Sequence, residues 1–140
     1  LNIPVGYVDT YYEFHKRPKI VEVSDVILSN CYPFWAGISI DDALINLRKM
    51  HAITKQAANG KPVIISETGW PSKGKAVLEA APSELNAMSN FINTQNWAQT
   101  EGVAIFHFSS FDESWKVAIE GEVGARWGIW DKDETLKYEK

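Results

Sequence analysis

Lys61-Pro-Val-Ile-Ile-Ser-Glu-Thr-Gly-Trp-Pro-Ser72 joins a short apolar run to a carboxylate and then to a Gly-Trp-Pro turn. A short apolar run without polar alternation reads as a strand buried on both faces, the habit of parallel sheets. Glu67 falls where that run stops. In parallel β/α proteins the carboxyl ends of the strands are where active sites assemble, so Glu67 is the first candidate for chemistry. A surface or capping carboxylate is the plainer alternative for the same residue.

Three further apolar runs, Ile3 to Val8, Val26 to Cys31 and Val103 to Phe108, have the same character, and longer stretches separate all of them. That is the order of strands joined by crossovers. Two crossovers carry helical periodicity. From Ile40 to Ala58 the apolar positions are Ala43, Leu44, Leu47, Met50, Ile53 and Ala57, with Ser39 as N-cap and Gly60 beyond the end. From Ser83 to Thr100 the expected face is Leu85, Met88, Phe91, Ile92 and Ala98, stopped by Gly102. The first crossover, Thr10 to Asp25, contains Pro18 and β-branched residues, which predicts a short or irregular helix. After Trp115 the glycines Gly121, Gly124 and Gly128 predict a loop before a short closing segment at Trp127 to Trp130. With no repeat or linker, residues 1–140 read as a single domain segment of four β/α units, half of a (β/α)₈ barrel.

Composition narrows the partner. A net charge of −4 argues against nucleic acid or an anionic membrane surface, which call for clustered Lys and Arg, and favours a neutral ligand. The chain holds six Trp, five Tyr and six Phe, several at the ends of apolar runs, where flat rings suit the apolar faces of sugars. No apolar stretch reaches the roughly 20 residues of a membrane span. The lone Cys31 permits no intrachain disulfide and reads as a buried filler. His15, His51 and His107 show no ligand spacing, so neither a metal nor another cofactor is expected.

Ile65-Ser-Glu-Thr-Gly-Trp-Pro-Ser72 resembles the nucleophile signature of glycoside hydrolase family 17, the β-1,3-glucanases and β-1,3-glucan transglycosylases. Val5-Gly-Tyr-Val-Asp-Thr-Tyr11 is similar to the family's fifth strand, Asn30-Cys-Tyr-Pro-Phe-Trp35 to its sixth, and Phe106 to Lys116 to its eighth. Gly124 to Trp130 is similar to its closing segment. The resemblance implies a TIM-type barrel of which this chain supplies strands five to eight. It also implies retaining hydrolysis of β-1,3-glucan through a covalent glucosyl-enzyme intermediate on Glu67, with transglycosylation differing only in the acceptor.

Retention requires two carboxyl groups about 5 Å apart, one attacking and one shuttling a proton. The family's proton donor lies in an Asn-Glu motif after the fourth strand, and no Asn-Glu pair occurs in this sequence. Glu13 is the one stray carboxylate near a strand end that offers a substitute. The same resemblance places Glu113, Lys116 and Glu120 as a charged set beside the cleft, with Glu122 competing with Glu120 for that place. Tyr32 is expected to hydrogen-bond Glu67, and Tyr7, Tyr11, Phe34, Trp35 and Trp70 are the candidates for stacking on sugar. His51, on a helix, and His107, on a strand, read as structural, although His107 would contact substrate if it faced inward.

A half-barrel that kept its aromatic cleft but lacked the acid is expected to bind glucan without cutting it, which makes a non-catalytic carbohydrate-binding module the competing class. Two raw sheet edges and an uncovered inner face predict either a two-fold homodimer or a missing N-terminal half. The sequence contains no targeting segment; the family resemblance implies secretion or a periplasmic place.

Overall fold

The computed structural model describes residues 3–138. Four parallel strands, β1 (Gly6–Thr10), β2 (Val26–Asn30), β3 (Val63–Thr68) and β4 (Ala104–His107), lie side by side in chain order. The crossovers carry α1 (Pro18–Val23), α2 (Ile40–Ala57) and α3 (Glu84–Glu101), and α4 (Val117–Gly124) follows β4. This is the architecture of four consecutive units of a (β/α)₈ barrel.

Most boundaries follow the sequence. α3 starts at Ser83, whose side chain accepts a hydrogen bond from the Asn86 amide at 3.0 Å, and stops at Gly102 in the left-handed conformation. Ser39 precedes α2 as expected, yet its hydroxyl turns to the Asp42 carboxylate at 3.4 Å and caps no backbone amide. β1 begins three residues later than the apolar run, because pairing starts only where Gly6 meets Val26. Val5 instead donates its amide to the Asp25 carboxylate at 2.8 Å.

Two expectations fail. The buried stripe of α3 is Ala87, Asn90, Thr94, Trp97 and Ala98, whereas Leu85 and Ile92 are exposed. Polar Asn90 and Thr94 hid the true phase of the helix. The stretch after Trp115 is helical rather than looped, although Gly121 breaks α4 with φ 73° and ψ −171°, a conformation closed to residues with a Cβ.

The helix-facing side of the sheet is packed. Phe14, Val21, Ile27 and Ala58 form one cluster, and Cys31, Leu47, Met50, Ile65 and Trp97 another. Burial pushes the Cys31 thiol up to about 11, so it stays protonated and inert as the sequence implied. The opposite face is bare: Val8 is 48% exposed and Phe106 63%. Among the described residues β1 and β4 each have one strand neighbour.

α1 has six residues, too few to hold a helix by its own hydrogen bonds. Lys61, just before β3, reaches its C-terminus and donates to the carbonyls of Val21 at 2.6 Å and of Glu22 and Ser24 at 2.5 Å. A cation there also complements the helix dipole. Lys61→Met is expected to cost about 1–3 kcal/mol, since it strips charged donors from carbonyls that are partly buried, and a urea-midpoint shift reads it out.

Candidate active site

β3 departs from regular pairing where the site begins. Ser29 pairs with Ile65, but Asn30 pairs with Glu67, and across the other edge Ile65 pairs with Ile105 while Thr68 pairs with His107. The extra residue at Ser66–Glu67 is a bulge, a device that re-aims a side chain at the end of a ladder. Ser66 donates to the Asn30 side chain at 2.7 Å, which locks the bulge to β2. Glu67 is left partly buried at the mouth of the sheet.

Tyr32, two residues beyond β2, donates its hydroxyl to Glu67 Oε2 at 2.8 Å, in the place expected of it. Burial, then the bond to Glu67, then the nearby charges of Glu67, Glu120 and Glu113 raise the Tyr32 pKa far above the ordinary phenol value. Tyr32 therefore keeps its proton and donates it to this bond, which fixes the direction of the Glu67 carboxylate. Among the described residues Glu67 Oε1 accepts no hydrogen bond. One oxygen is clamped and the other is free.

Trp127 holds this corner together. Its ring meets Tyr32 at 5.3 Å, Phe34 at 5.5 Å, Trp35 at 5.6 Å and Phe108 at 6.1 Å. Nothing in the sequence beyond its place in the Gly124 to Trp130 stretch marked Trp127 as the hub. Asp112 ties that closing stretch down: its buried carboxylate takes the Gly128 amide at 3.0 Å, Lys137 at 2.8 Å and Arg126 at 3.3 Å. Neither Asp112 nor Arg126 was singled out by sequence, since lone charges in a polar tail carry no pattern. Gly69 is fixed by close approach, because a Cβ there would run into the Phe108 carbonyl oxygen.

The charged set assembles on the Phe108 flank of Tyr32. Lys116 pairs with Glu113 at 2.6 Å and lies over the Phe108 ring at 4.3 Å, while Phe108 packs edge-on against Tyr32 at 6.2 Å. Glu120 acts on Tyr32 by charge. Glu122 instead pairs with Lys73 at 3.0 Å, which separates the two competing glutamates. Glu13 is held by Lys16 at 2.8 Å and Arg17 at 3.5 Å, already engaged in ion pairs beside β1.

Of the five aromatic candidates, two line a groove beside Tyr32. Tyr11 and Trp35 share a cavity of about 350 Å³ with Tyr12, a neighbour not foreseen. Phe34 and Trp70, at 0% and 1% exposure, are core. They pack against each other at 5.2 Å, and the Trp70 indole donates to the Ala81 carbonyl at 3.0 Å, so neither can reach a sugar. Tyr7 points to the helices, with its ring against Phe14 at 6.3 Å and its hydroxyl on Asp9 at 3.0 Å.

His107 also turns outward, stacking edge-on against Phe91 of α3 at 4.9 Å. Burial, assisted by the Lys137 charge, lowers its pKa to about 4. An unfolded chain protonates this imidazole near 6.5 and so binds more protons than the folded one between those values. Stability is therefore unaffected by His107 above pH 6.5 and falls as the pH drops toward 4, by about 2–3 kcal/mol for this residue. Urea midpoints across that range, steeper in the wild type than in His107→Gln, check it.

An open parallel β/α sheet with an aromatic-framed carboxylate at a strand end defines a segment of a barrel-type glycoside hydrolase. The chain belongs to the BtgE/BtgC glycoside hydrolase domain family, whose model matches residues 1–128, and so to glycoside hydrolase family 17. It is similar to a glucan 1,3-beta-glucosidase of Candida albicans, 32% identical over 98% of this chain and 48% of that protein. A β-1,3-glucanosyltransferase of glycoside hydrolase family 17 from Rhizomucor miehei superposes with a TM-score of 0.91 at 32% identity, over 97% of this chain and 49% of that one. An active-site mutant of the Rhizomucor enzyme in complex with laminaritriose superposes at 0.90 with 31% identity over 97% and 49%. The chain spans about half the length of these relatives.

Proposed function

We propose that this chain carries the nucleophile half of a retaining enzyme acting on β-1,3-glucan, with Glu67 as the nucleophile. The observation that supports this most is the clamped carboxylate: Oε2 receives the Tyr32 hydroxyl at 2.8 Å, while Oε1 accepts no hydrogen bond among the described residues. Oε1 attacks the anomeric carbon and the bond to the departing sugar oxygen breaks, leaving a glucosyl ester on Glu67. That departing oxygen takes a proton from a general acid. Water or a second sugar then gives its proton to the residue that served as acid and attacks the anomeric carbon, and the bond from that carbon to Oε1 breaks, freeing the Glu67 carboxylate.

The acid is assigned to the half of the relatives' length that this chain does not match. The bare face around Val8 and Phe106 and the open edges of β1 and β4 suit coverage by those further β/α units. The substrate class rests on the relatives' names and on the laminaritriose complex of the Rhizomucor enzyme.

The test is a 2-deoxy-2-fluoro-laminaribiosyl donor with an activated leaving group, applied to the full-length protein and followed by peptide mass mapping. The label is expected on the peptide carrying Glu67. A label on any other carboxylate, or none while the donor is consumed, sinks the reading. Tyr32→Phe is expected to lower kcat/KM about 10- to 100-fold, since it removes one hydrogen bond to a charged group. Initial rates on laminari-oligosaccharides measure that loss.

A further inference from the structure

We propose that Asp112 and Lys137 are positioning residues for the nucleophile: their buried ion pair fixes the backbone on both sides of Trp127, and through the Trp127 ring it keeps Tyr32 and Glu67 aligned for attack. This rests on the reading of Glu67 as the nucleophile.

Three segments meet at the pair. Ser72 lies in the segment after β3, Asp112 in the loop after β4, and Arg126 to Gly128 in the closing stretch. Lys137 donates to Asp112 Oδ1 at 2.8 Å and to Ser72 Oγ at 2.9 Å. The Lys137 side chain is 11% exposed and that of Asp112 1%. Ser72 in turn donates to the Arg126 carbonyl, from its amide at 2.8 Å and from its hydroxyl at 3.1 Å. Asp112 Oδ1 also accepts the Gly128 amide at 3.0 Å. One ammonium thus joins the segments that follow β3 and β4 to both chain neighbours of Trp127.

Trp127 itself is tied between them, since its carbonyl accepts the Ser109 amide at 3.1 Å. Its ring leans on Tyr32 at 5.3 Å, and the Tyr32 hydroxyl donates to Glu67 Oε2 at 2.8 Å. A Cβ added at Gly69, two residues past Glu67, would lie 3.3 Å from the same ring. The ring therefore touches both the clamp and the chain just beyond the nucleophile.

The charge on Lys137 matters because Asp112 is enclosed. Without it the carboxylate keeps only Arg126 as a cation, at 3.3 Å and on a side chain that is 35% exposed. A buried charge stripped of its partner turns or draws in water to recover solvation, and either movement pulls on the Gly128 amide. Trp127 then loses its fixed base. Attack on an anomeric carbon is sensitive to such shifts, since a misplacement of about 1 Å can cost on the order of 10²-fold in rate. Neither Asp112 nor Lys137 lines the groove of Tyr11, Tyr12 and Trp35, so the affinity for sugar should hold while the rate of attack falls.

The experiment uses the full-length protein and the 2-deoxy-2-fluoro-laminaribiosyl donor, and follows the exponential rate of labelling against donor concentration. That rate constant does not depend on the fraction of molecules folded, so a loss of stability alone does not move it. Lys137→Met is expected to lower the maximal rate about tenfold while the half-saturating donor concentration changes by less than about twofold; Lys137→Arg, which keeps the charge, stays within about threefold of wild type. Ser72→Ala keeps the ion pair and deletes one contact of Lys137, with an expected loss of about threefold. It decides the matter alone if Lys137→Met does not fold. Lys61→Met, destabilised at the opposite end of β3 from Glu67, is expected to label at the wild-type rate. Wild-type maximal rates in both Lys137→Met and Ser72→Ala overturn the proposal, as does an equal loss in Lys61→Met or a change confined to half-saturation. Label on Glu67 with unchanged rates defeats the positioning role alone. Label on another carboxylate defeats the nucleophile reading and the positioning role with it.

Discussion

Glu67→Gln in the full-length protein is expected to lower turnover of β-1,3-glucan by about 10⁴-fold or more, because removing a covalent nucleophile removes a step that the remaining groups cannot replace. Gln is nearly isosteric and its amide still accepts the Tyr32 hydroxyl, whose bond to Glu67 Oε2 is 2.8 Å. Folding and glucan binding should therefore survive. The smaller Glu67→Ala variant should regain activity on activated aryl glucosides when azide is added, with azide occupying the vacated position. The product is then an α-glucosyl azide, inverted relative to the substrate, which identifies Glu67 as nucleophile rather than acid/base. A Glu67→Gln enzyme within tenfold of wild type on laminarin, or a β-configured azide from Glu67→Ala, would reassign the residue.

The place of Glu67 at a strand end was legible from sequence because two signals met there: an apolar run ended at a carboxylate, and a Gly-Trp-Pro turn followed. Tyr32 was legible for the same kind of reason, as the residue ending the neighbouring run. The direction of a side chain within a run was not legible. Tyr7 and Val8 are adjacent in β1, so one faces the helices and the other the opposite side, and an unbroken apolar run gives no clue to which. The direction of His107 was hidden in the same way, although its structural reading agrees with its packing against Phe91.

Past the strand ends the difficulty changes. Phe34, Trp35 and Trp70 lie in loops that follow strands, and packing by distant segments decides that Phe34 is enclosed between Trp70 and Trp127 while Trp35 keeps an open face. Trp127 comes from the far end of the chain. Such a contact is long-range and leaves no periodic trace. The misjudged α3 face has the opposite origin, local but disguised, because Asn90 and Thr94 occupy buried positions that a hydrophobic pattern passes over.

The burial of Trp70 leads to an expected loss of stability. Its ring is 1% exposed, packs edge-on against Phe34 at 5.2 Å and donates to the Ala81 carbonyl at 3.0 Å. Trp70→Ala deletes a large buried side chain and leaves that carbonyl without its donor, a change expected to cost about 3–5 kcal/mol. Against a total folding stability of about 5–15 kcal/mol this is a large fraction, and the melting temperature should fall by roughly 10 °C. Trp35→Ala should do the reverse: with 43% of Trp35 already exposed, less packing is lost, while a ring face expected from the sequence to stack on sugar disappears. Measuring the melting temperature and the laminari-oligosaccharide KM for both variants separates the roles. If Trp70→Ala kept the wild-type melting temperature and raised KM alone, the ring would have to leave the core to meet substrate, and Trp70 would return to the list of sugar-binding residues.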